Sequence, residues 1–159
     1  MNMSFKEKST WVSLLATLLI FGNYAISVFS MDSSILNPDE MIEVAMDNLS
    51  SAIFFIIVVE IIFQALIAAG SRNKIEIEGD ERDSLIMLIS NNSGYWVLSI
   101  GVIITIGQLI LPHVFGIEFS PEEHTSIPMF AMHLLLFSFI FAEIVRFSHQ
   151  IYLYRKDAV

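Results

Sequence analysis

Ser51-Ala52-Ile53-Phe54-Phe55-Ile56-Ile57-Val58-Val59-Glu60-Ile61-Ile62-Phe63-Gln64-Ala65-Leu66-Ile67-Ala68-Ala69-Gly70 is a 20-residue run with one charge, Glu60, and it ends at the basic stretch Ser71-Arg72-Asn73-Lys74. At ~1.5 Å per residue such a helix covers the ~30 Å hydrocarbon core of a bilayer. The run is too long for a strand. Only a helix satisfies its own backbone polar groups in lipid, because four strands cannot close a barrel. Working outward, three more runs of this kind appear. The spans lie at about 11–29, 49–70, 96–111 and 128–154. The expected fold is an all-α membrane protein, a four-transmembrane-helix bundle that uses the chain 1–159 as one domain in the lipid bilayer.

Composition agrees. Hydrophobic residues make up 55 % and mean hydropathy is +0.67. Charged residues are 16 %, against ~25 % in soluble domains. These values exclude a soluble globular enzyme and a disordered chain. The net charge of -9 argues against nucleic-acid binding, which needs cations to meet phosphates. With no cysteine, disulfides, thiolate nucleophiles and Cys-based metal sites are excluded.

The charges set the threading. Lys6 and Lys8 precede the first span, Arg72, Lys74 and Arg82 separate the second from the third, and Arg155 and Lys156 follow the fourth, with Arg146 near its end. The other two connections carry acids, Asp32, Asp39, Glu40, Glu43 and Asp47 in one and Glu118, Glu122 and Glu123 in the other. The positive-inside rule then places both termini in the cytoplasm and the acidic loops outside. Lys6, Lys8 and Leu14 to Phe21 have the outline of a signal peptide, but Asn23 and Tyr24 interrupt it and no small-x-small site follows. The segment reads as a retained span.

Between the second and third spans, Ile75-Glu76-Ile77-Glu78 alternates and Gly79 breaks it. Asp80 suits an N-cap, and Glu81 and Asp83 suit a first helical turn. An amphipathic cytoplasmic lead-in over 80–94 follows, running into the third span. Asp80, Glu81, Arg82 and Asp83 form the expected partner-binding surface; the plainer reading is a solvated turn with an interfacial anchor. His113, Glu118, Glu122, Glu123 and His124 carry metal-ligand chemistry, but their spacing fits no metal motif and they read as a solvated acidic loop.

The two halves resemble each other. Trp11-Val12 with Gly22-Asn23 matches Trp96-Val97 with Gly107-Gln108 at an offset of 85, and Glu60-Ile61 with Arg72 matches Glu143-Ile144 with Arg155 at an offset of 83. The chain therefore reads as two similar helical hairpins in tandem, an internal repeat with a pseudo-twofold axis along the membrane normal. The match puts Glu60 and Glu143 at one depth, ~18 Å from the basic boundary.

A charge at that depth costs at least ~2.5 kcal/mol on insertion scales, so such residues face the bundle and find partners. Arg146, three residues beyond Glu143, shares its helix face, and Gln64 lies one turn from Glu60. The expectation is a buried polar cluster of Glu60, Gln64, Glu143 and Arg146. Two carboxyls against one guanidinium would keep one carboxyl protonated. That is the form of a proton or cation pathway, and equally of a structural network, since polar residues often serve as glue between membrane helices. Asn23, Gln108 and His133 form an expected outer polar layer. Ala65 and Ala69 offer a small-xxx-small face for close helix approach or a homodimer.

No nucleophile elbow, HExxH motif, P-loop or dinucleotide fingerprint occurs, and the four histidines suggest no haem pair. No catalytic residue, metal or cofactor is expected. Lys8-Ser9-Thr10-Trp11, Gly79-Asp80-Glu81-Arg82-Asp83 and the four-span layout resemble a family of small bacterial inner-membrane proteins of unknown function, some encoded beside helix-turn-helix regulators. The resemblance implies a bacterial inner-membrane location and a regulatory association, and it supplies no catalytic residues.

The reading that follows is a non-enzymatic integral membrane protein, regulatory or accessory, that acts through a cytoplasmic protein partner at the 80–83 loop. The alternative is a small proton- or cation-coupled transporter or channel centred on Glu60 and Glu143, which four short helices would build most easily as a dimer.

Overall fold

A computed structural model describes residues 4–31, 37–70, 81–116 and 127–156. Four helices run through them: α1 (Phe5–Phe29), α2 (Pro38–Gly70), α3 (Glu81–Phe115) and α4 (Phe130–Lys156). The shortest has 25 residues, or ~37 Å at 1.5 Å per residue, so each exceeds the ~30 Å hydrocarbon core. All four are apolar enough to cross a membrane. The protein is an all-α, four-helix, multi-pass membrane protein.

The ends are set by local chemistry. Ser4 caps α1, its hydroxyl accepting from Glu7 N at 3.1 Å as N-caps do. Asn37 and Glu40 cap α2 reciprocally, Glu40 N donating to Asn37 Oδ1 at 3.0 Å and Asn37 N to Glu40 Oε2 at 3.1 Å. Pro38 then occupies the first helical position, where its missing N–H costs nothing. This cap carries α2 well past the expected boundary. Asp39, Glu40, Glu43 and Asp47, expected in a loop, lie on the first turns of α2 with their side chains exposed, while Met41, Ala45 and Leu49 are buried. Their 3.6-residue period is masked in the sequence by the density of acids.

At the other end of the third span the helix does not stop before Pro112. It runs through that residue to Phe115 and ends at Gly116 with φ +60°, the left-handed cap that glycine adopts freely. The lead-in and the third span are one unbroken helix. Ile86 and Ser90 of the lead-in are buried.

α4 is the hub. It packs most extensively on α3 and next on α1, while α2 leans on α1. Fully buried residues make up a third of the most apolar stretch of α4 (33 %) and 6 % of that of α3, so α4 lies deepest in the bundle. One core cluster joins Tyr24 and Val28 of α1, Leu49 and Ala52 of α2, and Ile140 of α4. A second joins Leu14 to Phe147 and Ile151.

The α3–α4 contact depends on small residues. A Cβ on Gly101 would overlap the Ser138 side chain, and one on Gly94 would lie 3.1 Å from Arg146 Cβ and 3.2 Å from the Ala142 carbonyl. Close approach of this kind compensates for the missing hydrophobic drive between helices in lipid. The small-residue face expected at Ala65 and Ala69 lies apart from this seam, on α2. Ala65 is exposed, and the side chain of Ala69 lies outside the described residues.

The two interfaces between hairpins differ. α1 packs on α4, whereas among the described residues α2 and α3 meet only sparsely. The seam between α2 and α3 is thus loosely packed among the described residues.

Candidate functional site

Glu143 and Arg146 sit one turn apart on α4, between the buried side chains of Ala142 and Phe147. Arg146 Nη2 donates to Glu143 Oε2, and the guanidinium carbon lies 4.2 Å from the Phe147 ring centroid. Both side chains are half-buried, at 27 % and 29 % exposure. Gly94 makes this possible from the opposite helix, because its bare Cα lets the Arg146 stem lie against α3. The pair borders a cavity of about 480 Å³ that all four helices reach, Ser13 and Thr17 from α1, Val59 from α2, Tyr95 from α3 and the pair itself from α4.

Of the expected cluster, Glu143 and Arg146 are brought together. The side chains of Glu60 and Gln64 lie outside the described residues. What the described pair can do chemically is limited and clear. It is neutral overall, it holds several N–H donors at the cavity wall, and it lies deep enough for the low dielectric to strengthen any hydrogen bond made there.

Farther toward the acidic end, the Tyr24 hydroxyl and His133 Nδ1 lie 2.5 Å apart. Tyr24 is 3 % and His133 1 % exposed, and the Phe137 ring lies 5.1 Å from that of Tyr24. His133 Nε2 is buried with no partner among the described residues. The expected outer layer is therefore divided. Asn23 is exposed on a groove of about 260 Å³ between α1 and α2, beside Ser27, Asn48 and Ser51. Gln108 keeps its Oε1 buried and, among the described residues, without a partner. His133 bonds to Tyr24, which sequence reasoning treated only as an interruption of the first span.

At the basic end, Arg155 Nε lies 2.6 Å from Glu7 Oε1. This ion pair places the start of α1 and the end of α4 at the same end of the bundle. Arg82 Nη2 donates to the Tyr154 carbonyl at 3.5 Å, and Asp83 and Arg82 both act on the Tyr154 hydroxyl electrostatically. Ser93 Oγ and His149 Nδ1 lie 2.7 Å apart. Of the expected partner-binding residues, Glu81 and Arg82 are exposed and Asp83 is half-buried, Arg82 and Asp83 reaching Tyr154 of α4, and Asp80 lies outside the described residues. Tyr154, Ser93 and His149 were not legible as partners. The signal that marked the α3 seam was present, however: Gly94 and Gly101 stand seven residues apart, two turns on one helix face.

No group of three His, Cys, Asp or Glu side chains that would hold a metal ion occurs among the described residues. His113 is exposed; Glu118, Glu122, Glu123 and His124 lie outside the described residues. Comparison with protein families, with curated proteins and with solved structures finds no match to this chain.

Proposed function

We propose that this chain is a non-enzymatic, regulatory or accessory protein of a bacterial inner membrane, with both termini cytoplasmic, that acts through a protein partner docking at the head of α3. The observation that supports this reading is the anchoring of that head. Arg82 bonds to Tyr154 and Ile86 is buried, while Glu81, Leu85 and Leu88 stay exposed. A fixed amphipathic face requires little ordering when a partner binds, and pre-organised surfaces bind more tightly for that reason. The basic residues cluster at this end, which the positive-inside rule assigns to the cytoplasm.

The test is a photo-crosslinking amino acid placed at Leu88 in cells. A discrete adduct with one protein, lost on Glu81→Lys, is expected. Adducts to lipid alone, as at the lipid-facing Ile103, would overturn the reading.

A second reading is a proton- or cation-coupled carrier, favoured by the presence of Glu143 on a cavity that all four helices reach. Proteoliposomes under an imposed potential test it by internal pH and by cation uptake. Flux present in the native protein and absent in folded Glu60→Gln, Glu143→Gln protein would support it. Flux equal to empty liposomes for protons and cations would end it.

A further inference from the structure

The cavity beside Glu143 and Arg146 adjoins a second one of about 530 Å³, lined by α2, α3 and α4. Leu98 and Phe139 belong to the walls of both. Each chamber falls within the ~300–1,000 Å³ of small-molecule sites. Their walls differ in kind. The first holds the charge pair, and the second is apolar apart from Ser50, with Met46, Ile53 and Leu135 among its walls. Both take walls from α2 and from α3, two helices that meet only sparsely among the described residues.

Four constraints define an occupant. Among the described residues that line the first chamber, the charged ones are Glu143 and Arg146, which neutralise each other, so a ligand with net charge would bring an uncompensated ion into a low-dielectric site. The head is therefore neutral. Guanidinium has five N–H donors and no acceptor, and among the described residues its one hydrogen bond goes to Glu143. Nε is buried away from any acceptor, so Nη donors remain for a ligand, which must supply acceptor oxygens. Tyr95, Phe139 and Phe147 border the same chamber, and aromatic walls suit a flat head. Finally, the pair lies ~13–18 Å from the basic boundary at 1.5 Å rise, near mid-bilayer and beyond a phospholipid headgroup.

We propose that these two chambers bind a neutral, membrane-soluble molecule with a planar carbonyl-bearing head and a hydrocarbon tail, of the prenylquinone class. The head accepts hydrogen bonds from Arg146, and the tail lies in the apolar chamber past Leu98 and Phe139. Entry is sideways from the lipid between α2 and α3. Binding there is independent of any protein docking at the head of α3.

The test uses protein in phosphatidylcholine nanodiscs with decylubiquinone as the probe. Trp11→Phe leaves Trp96, adjacent to Tyr95, as the reporter, because quinones quench indole fluorescence. Saturable quenching is expected. Its half-saturation should rise at least tenfold in the charge-balanced Glu143→Gln, Arg146→Met protein and in Leu98→Phe, which narrows the junction and keeps the ion pair. Ile103→Phe on the lipid face should leave it unchanged. Circular dichroism confirms that each variant is folded. Quenching that grows linearly with quinone content, or that is the same in both cavity variants, overturns the proposal. Equal competition by laurate overturns the neutral head.

Discussion

Tyr24 and His133 hold α1 and α4 together through a buried contact of 2.5 Å between the hydroxyl and Nδ1. The rest of each ring is packed in hydrocarbon-like surroundings, so neither group has water as an alternative partner. A buried polar atom left unpaired costs more than removal of both partners. Tyr24→Phe should therefore destabilise the bundle by about 1–2 kcal/mol, and the Tyr24→Phe, His133→Leu protein should recover part of that loss. Unfolding in mixed micelles by titration with a denaturing detergent reads both values. Equal stability of Tyr24→Phe and the native protein would show that the contact contributes nothing.

The α3–α4 seam makes a graded prediction. A methyl on Gly101 meets the Ser138 side chain itself, whereas one on Gly94 meets neighbours at 3.1 and 3.2 Å. Overpacking of a tight contact costs about 1–3 kcal/mol. Gly101→Ala should lie at the upper end and Gly94→Ala near the lower. Ser138→Gly should rescue Gly101→Ala, because it removes the atoms in the way, and should not rescue Gly94→Ala. The same detergent titration decides it.

How far the sequence carried this picture depends on the range of the interaction. Span number and helical class were legible because apolar runs as long as Ser51–Gly70 have one solution in lipid. The Glu143–Arg146 pair was legible because partners three residues apart on a helix share a face. Tyr24 with His133 was not. Those residues stand 109 apart, and nothing local selects which of several outer-half polar groups will meet. The Asn37–Glu40 cap was overlooked for a different reason. Its pattern is local, but the acids that follow it resemble a loop until the buried Met41, Ala45 and Leu49 are seen to share a stripe.

Glu143 and Arg146 should be strongly coupled. Neutralising one leaves the other without its counter-ion at membrane depth, and removal of one partner of such a pair is far worse than removal of both. With about a quarter of each side chain still exposed, each single change, Glu143→Gln or Arg146→Met, should cost about 1–3 kcal/mol. The double change should cost less than the sum of the two. A double-mutant cycle in the detergent titration measures the difference, and additive losses would mean that the two side chains act separately.

The contact of Glu7 with Arg155 fixes both ends of the described chain at one end of the bundle, and the Arg82 bond to Tyr154 brings the head of α3 to the same end. Glu43 and His113 belong to the other, acidic end. The absence of cysteine makes single-cysteine labelling free of background. In spheroplasts, a membrane-impermeant maleimide should label Glu43→Cys and His113→Cys. Ser4→Cys, Glu81→Cys and Lys156→Cys should react only after the membrane is opened. The first three-versus-two separation follows from geometry alone, and a mixed pattern would contradict the helix order. The direction follows from the positive-inside rule. If Ser4, Glu81 and Lys156 react from outside, the helix order stands but the head of α3 faces away from the cytoplasm, and a cytoplasmic partner cannot dock there.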